Sequence, residues 1–416
     1  MKKQILMFGA LVLAIALLTG VNGCKKDEPT ALTLSTLVAG SIDMNGVTTP
    51  SNVPVSPSIV ATFSTDVDPL TATSANIKLK RDYDAADIDL NISVNGKTIT
   101  IEPTEDLASG ALHKLTFSAS LKSKEGELLK TDLERTFTTA GFFAPTGMVA
   151  YWNFDTDAND QVGSYNPSTT KDITYADGRK AEAGKAAQFN GTTSIIEIPN
   201  ADPLITTHDF TISFWVKTNS ADITHGHFVM GLGAFYGLQF EINGSYKEAK
   251  FAIQYEEAEG KSASEDMWFP SNATDNTNGG WQGWDYAKSL TDDEMIALLK
   301  DNWLHVVYTF NGEAKKGILY YNGEKMKSFD FNLWPDGDAK KSVFGMKYAG
   351  VEPDVVNDLA FGFIQSRAGT MWDNETWGGY DFPDANHFKG MLDDIRIFHK
   401  TITPAEVLLI YNSEKP

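Results

Sequence analysis

Two stretches of this chain concentrate residues able to hold a polar ligand against an apolar surface. One begins Asp266-Met267-Trp268-Phe269-Pro270 and runs on to Trp281-Gln282-Gly283-Trp284-Asp285-Tyr286; the other runs from Met371 through Trp372, Trp377 and Tyr380 to Phe382. Neither follows a strand pattern. Segments rich in Gly, Asn and Asp stay wet, so a tryptophan placed there needs a cover. A sugar ring supplies one, because its CH face stacks on an indole while Asp, Asn and Gln bond its hydroxyls, a mostly apolar site with a few placed polar groups. Tryptophan is also a leading hot-spot residue at protein interfaces, and the rings could equally pack down on one another and close the end of a sheet sandwich. The candidate ligand-binding residues are Trp268, Trp281, Trp284, Tyr286, Trp372, Trp377 and Tyr380. A glycan is the expected ligand, and a surface protein partner is the alternative.

A second set of residues could hold a metal ion. In the run Leu392-Asp393-Asp394-Ile395-Arg396-Ile397, Asp393 shares strand parity with Ile395 and Ile397 and is expected to face inward. A buried carboxylate must be paired or coordinated. Asp155, followed by Asp157 and Asp160, is the expected second contributor to a structural calcium ion, which takes oxygens from carboxylates, carbonyls and water. The competing reading has Asp393 accepting from backbone or arginine donors and the Asp155 segment forming a solvated acidic turn.

Cys24 is the single cysteine of 416 residues, which excludes an internal disulfide, a cysteine zinc site and a Cys-x-x-Cys redox pair. It follows Lys2, Lys3 and an apolar run from Ile5 to Leu18. As a helix that run rises only about 21 Å, short of the roughly 30 Å hydrocarbon core, and its layout is that of a signal peptide. Val21-Asn22-Gly23-Cys24 resembles the lipobox of bacterial lipoproteins, and Lys25 to Pro29 resembles the charged tether after the lipidated cysteine in surface lipoproteins of Bacteroidota-type bacteria. The resemblance implies a signal peptide over 1–23, acylation of Cys24, a tether over 24–37 and outer-membrane anchoring that faces outward. With 55 acidic against 35 basic residues the formal charge is −20, which argues against nucleic acid or an anionic lipid surface as partner. Membrane contact is expected through the anchor alone.

Two modules must position these residues. Over 38–140 the chain reads as short alternating segments, such as Val60 to Phe63 and Lys97 to Ile101, with Asn95-Gly96 as a hairpin signal. With Ser56 to Ser64, Ile101-Glu102-Pro103 and Phe137-Thr138-Thr139 in this order, the module resembles the bacterial immunoglobulin-like (SbsA-type) domains of surface proteins, which implies a spacer sandwich. Over 148–413 the signatures Tyr151-Trp152-Asn153-Phe154, Phe210 to Lys217, Trp303 to Gly312 and Met391 to Phe398 occur in the order of the laminin-G-like branch of the concanavalin A-like lectin and glucanase superfamily. The family implies a jelly-roll sandwich, so the fold class is all-β throughout. Related folds often place calcium beside the aspartate at the position of Asp393. Trp152, Trp215 and Trp303 are expected to pack in the sandwich core, and His305 to belong to its strand. Thr403-Pro404-Ala405-Glu406 starts a terminal helix, and Thr291 with Glu294 caps another.

Glucanases of this fold carry Glu-x-Asp-x-Glu on a strand, which sets alternate carboxylates on one face. That pattern is absent here, as are Gly-x-Ser-x-Gly, His-Glu-x-x-His and phosphate-loop motifs. The expectation is a non-catalytic, lipid-anchored, surface-exposed glycan-binding protein, with a protein-binding adhesin or scaffold as alternative and a glycoside hydrolase third.

Overall fold

The computed structural model describes residues 31–46, 48–270 and 284–416. The chain divides into two compact units, 1–106 with 112–138 and 107–111 with 139–416. Both are built from antiparallel sheets.

In the first unit a five-stranded sheet runs in the order Ile42–Asp43, Leu34–Ala39, Ile59–Phe63, Thr98–Pro103, Leu90–Asn95, and a four-stranded sheet in the order Asp87–Ile88, Ile77–Arg81, Leu112–Phe117, Leu133–Thr138. Period two explains the partition. Ile59, Ala61 and Phe63 are buried while Val60 and Thr62 are half-buried, and Ile99 and Ile101 face them from the next strand. The immunoglobulin-like sandwich is therefore present, with two local differences. Leu34–Ala39 pairs with Ile59–Phe63, so the expected tether over 24–37 overlaps a strand. The hairpin closes on Gly96 and Lys97 between the paired Asn95 and Thr98, and Gly96 alone has positive φ, where a type I′ turn would need two such residues. His113 is buried and stacked on Phe137 at 5.3 Å, which makes it a structural residue.

The second unit is a sandwich of a nine-stranded and an eight-stranded sheet. The larger sheet runs Thr174–Asp177, Lys185–Asn190, Lys389–Phe398, Phe210–Thr218, Trp303–Asn311, Lys316–Tyr321, Glu324–Asp330, Trp284–Ala287, with Met148–Trp152 also paired to Lys389–Phe398. The smaller runs Thr169–Lys171, Ile195–Ile198, Leu359–Phe361, His227–Leu232, Leu238–Ile242, Ala249–Glu256, Ser262–Phe269, with Gly345–Met346 on Ala249–Glu256. One apolar core fills the space between them; Phe214 meets Phe240 at 5.2 Å and Trp152 meets Phe361 at 5.3 Å, edge to face. Asn322 and Gly323 both have positive φ between paired Tyr321 and Glu324, the two-residue turn that Asn-Gly favours.

Among the described residues two α-helices accompany the strands. Asp292–Leu299 and Pro404–Glu414 both begin with a complete capping box, Thr291 with Glu294 and Thr403 with Glu406. The terminal helix lies on the outward face of the larger sheet, where Tyr411 stacks on Trp215 and Glu414 accepts from its indole nitrogen at 2.8 Å. Trp215 and His305 thus belong to the fold through the helix and not through the inter-sheet core.

Candidate functional site

The outward face of the smaller sheet carries a row of polar and aromatic side chains fixed by strand register. Leu238, Phe240, Phe251 and Met267 point into the core, so alternation sends Gln239, Glu241, Lys250, Asp266 and Trp268 outward. Register aligns Phe228, Glu241, Lys250 and Trp268 across four strands, with Gln239, Ala252 and Asp266 as the next row. Lys250 is the hub. Its ammonium lies 3.0 Å from Glu241, 3.8 Å from Asp266 and 5.1 Å from the centre of the Trp268 ring. Gln239 donates to Glu241 at 2.5 Å.

The segment after the strand Leu359–Phe361 forms the other wall. Its root is fixed by the buried Glu197, which accepts from Arg367 at 2.6 Å and from Ser366. Burial raises the carboxyl pKa of Glu197, but the Arg367 bonds outweigh that and hold it below its usual value. Met371, Trp372, Tyr380 and Phe382 pack against a small apolar cluster of Phe228, Ala360, Phe363 and Ile364. Gly379 is needed there, since a Cβ would lie 2.7 Å from the Phe382 ring. Trp377 stays 40% exposed. It stands 5.0 Å from Trp372 and edge-on to Phe228 at 6.1 Å, with its carbonyl held by the backbone N–H of Asn386.

Between wall and sheet lies a cleft of about 340 Å³ lined by Trp377, Trp372, Gln239, Glu241, Lys250 and Asp266 among others. It borders a second hollow of about 350 Å³ beside Trp268 and Asn243, the two sharing Phe228, Glu241 and Asn386. At the back of that hollow His227 is fully buried against the Tyr246 hydroxyl at 2.8 Å, and burial pushes its imidazole down to about 4.

The candidate aromatics therefore divide. Trp372 and Trp377 line one cleft and Trp268 lines the hollow that borders it, while Tyr380 packs behind, donating from its hydroxyl to the Thr193 carbonyl at 2.6 Å. Trp268 belongs to the regular strand Ser262–Phe269, not to a loop, because its neighbours Met267 and Phe269 are drawn into the core. Tyr286 lies apart, on the edge strand of the larger sheet beneath Lys325 at 4.6 Å. Trp281 and the side chain of Trp284 lie outside the described residues, as does Cys24. Gln239, Glu241, Lys250 and Asn386 were missed by sequence reasoning. The period-two runs containing the first three are legible, but only register shows that they face the same tryptophans.

Asp155 and Asp393 have other partners. Asp394 adopts φ +48°, a bulge in the last strand, so Leu392, Ile395 and Ile397 stay in the core while Asp393 sits opposite Trp215 and Arg396 opposite Ser213 on the outward face. The expected inward parity of Asp393 is thus reversed. Beneath the terminal helix Asp393 accepts from Arg179 at 2.5 Å, Asp394 accepts from Arg179 and from Tyr151, and Glu414 pairs with Arg396 at 2.6 Å. Asp155 is exposed and accepts from the Lys185 N–H at 2.9 Å, while Asp160 pins its own loop by accepting from the N–H groups of Tyr151, Val162 and Tyr165. Asp393 is thus taken up by the Arg179 guanidinium, and Asp155 by a backbone N–H and the Asn153 amide, so neither carboxylate is free for the expected calcium ion. Among the described residues no group of three or more His, Cys, Asp or Glu is placed to hold a metal ion.

Residues 42–139 match the family model of the bacterial Ig-like domain, and residues 190–356 match that of the concanavalin A-like lectin/glucanases superfamily. Similar solved structures include the binding domain of Paraclostridial Mosquitocidal Protein 1 at 17% identity, covering 64% of this chain and 52% of that one, with a TM-score of 0.39. The receptor-binding domain of botulinum neurotoxin type G follows at 16%, covering 64% and 51%, with a TM-score of 0.36. The chain spans about half the length of these structures, and no curated protein matches it. The chain thus carries a bacterial immunoglobulin-like domain at 42–139 followed by a concanavalin A-like domain of the laminin-G type at 190–356.

Proposed function

We propose that the concanavalin A-like unit binds carbohydrate, without cleaving it, in the cleft between Trp377 and the Lys250 row. The observation that carries this reading is the exposure of Trp377 above a floor of Gln239, Glu241, Lys250 and Asp266: an indole open for stacking, with amide, carboxylate and ammonium groups within reach of ring hydroxyls. Both cleft carboxylates turn toward Lys250, so neither stands free as the acid or the nucleophile that glycoside hydrolysis needs. In the same proposal Cys24 carries the lipid, the immunoglobulin-like unit acts as spacer, and the binding unit faces outward from the outer membrane.

Affinity electrophoresis of the protein through gels containing a panel of polysaccharides tests the binding. Retardation by at least one is expected, weakened about tenfold or more in Trp377→Ala and Trp268→Ala, with melting temperatures close to that of the parent. No retardation by any polysaccharide from a folded protein would abandon the sugar reading, and specific capture of a surface protein through the same two residues would replace it. Release of reducing ends from a retained polysaccharide would refute the non-catalytic part. The anchor is tested separately by Cys24→Ala, which should abolish incorporation of a labelled fatty acid and move the protein out of the membrane fraction.

A further inference from the structure

A different cavity, of about 910 Å³, opens on the outward face of the larger sheet, away from the aromatic cleft. Its floor follows from register. Thr174 pairs with Gln188, Gln188 with Met391, Met391 with Lys217 and Lys217 with Trp303, one row across five strands. At about 4.8 Å per strand the row spans roughly 19 Å, the length of a short oligosaccharide. The next row along the strands, Ala186, Asp393, Trp215 and His305, is completely buried beneath the terminal helix and the arginine cluster. The helix therefore covers one part of the face and leaves the Lys217 row open.

The charges around the opening are not equivalent. Asp301 accepts from the N–H and hydroxyl of Ser220 at 2.7 and 2.6 Å, Asp172 accepts from Thr193 at 2.7 Å, and the Lys389 ammonium donates to the Ala221 carbonyl at 2.5 Å. The half-buried Lys217 differs. Among the described residues no hydrogen bond or ion pair engages its ammonium, and the neutral neighbours Gln188, Thr174 and Asn190 line the same opening. Asp301 lies near enough for Lys217 to help hold its carboxyl below the usual value, but no direct ion pair joins them, so the half-buried ammonium keeps donors open to a further anionic acceptor and has hydroxyl-binding groups on either side.

We propose that this groove is a second saccharide site, one that takes a sugar bearing an oxyanion, with Lys217 binding the anionic group and Gln188, Thr174 and Asn190 the ring hydroxyls. The oxyanion is a uronate carboxylate or a sulfate ester, both of which a lysine meets as a point charge. The site stands independently of the aromatic cleft. In the cleft the one lysine is shared by two carboxylates, so the two sites differ in the charge they accept.

Calorimetric titration of the full protein at low salt with trigalacturonate, galactose 6-sulfate, which carries no carboxylate, and the neutral trisaccharide maltotriose tests this. Binding of at least one acidic probe is expected, weakened about tenfold or more in Lys217→Gln and by raised salt, and unchanged in Trp377→Ala. Which acidic probe binds tells carboxylate from sulfate. Should Lys217→Gln fail to fold, Gln188→Ala, on the exposed part of the row, must weaken the same probe. Binding of neither acidic probe, equal binding of maltotriose, or full affinity in the folded Lys217→Gln protein would overturn the assignment. Loss of acidic binding in Trp377→Ala would also overturn it, by locating the sugar in the aromatic cleft.

Discussion

Five charged side chains beneath the terminal helix are fully or almost fully buried, three of them acids and two of them arginines. Burial, and after it the negative charge of Asp394, pushes the Asp393 carboxyl up, and burial likewise raises Glu414. Asp394 is held down against its own burial by Arg396 and Arg179. Two guanidinium groups thus serve three buried carboxylates, and each arginine is indispensable to the balance. Arg396→Met should cost about 3–5 kcal/mol in urea denaturation, because it strands Glu414 and Asp394 in a dry site; a loss below about 1 kcal/mol would show that water reaches the cluster. His227 sets a pH dependence of its own. Its ordinary value near 6.5 falls to about 4 in the folded protein, so the unfolded chain takes up the proton first as pH drops. The stability it protects is whole above pH 6.5 and declines by up to about 3 kcal/mol as pH falls toward 4. His227→Gln should flatten that part of the stability profile, and an unchanged slope would assign the acid sensitivity to other groups.

Among the elements, the terminal helix was readable to its first turn. Thr403, Pro404 and Glu406 act on backbone groups within one turn, so their types and spacing suffice, and the capping box is present as expected. Thr403→Ala should lower stability by about 1 kcal/mol, measured as a shift in the urea midpoint. The face on which the helix docks was not readable, because the apolar ring of Trp215 and the charges of Arg179 and Arg396 are distant in sequence. The last strand shows the same limit. Its alternation predicts an inward Asp393, and a single bulge at Asp394 reverses the assignment without leaving a trace in composition. Bulges depend on what neighbouring strands require, and here two aspartates must share one face with Arg396. The strand Ser262–Phe269 likewise hides Trp268 among residues that read as a polar loop.

At the scale of the whole molecule the metal question has a direct answer to seek. With Asp393 paired to Arg179 and Asp155 accepting from the Lys185 N–H and the Asn153 amide, the melting transition should be the same with and without EDTA; a transition lowered by chelation and restored by calcium would contradict this. The linear order of two β modules, the all-β class and the helix starts were written in the chain, because period-two burial, turn residues and caps act over a few neighbours. The aromatic residues of the cleft were legible as types but not as a set: Trp372 and Trp377 line it, Trp268 lines the adjoining hollow, and Tyr286 lies apart. The groove around Lys217 had no local signature at all, since its floor combines five strands separated by more than two hundred residues. Local patterns determine which segments become strands and which side chains leave the core. Only tertiary register decides which of those outward side chains meet, because pairing brings together residues whose separation along the chain carries no physical information about their distance in space.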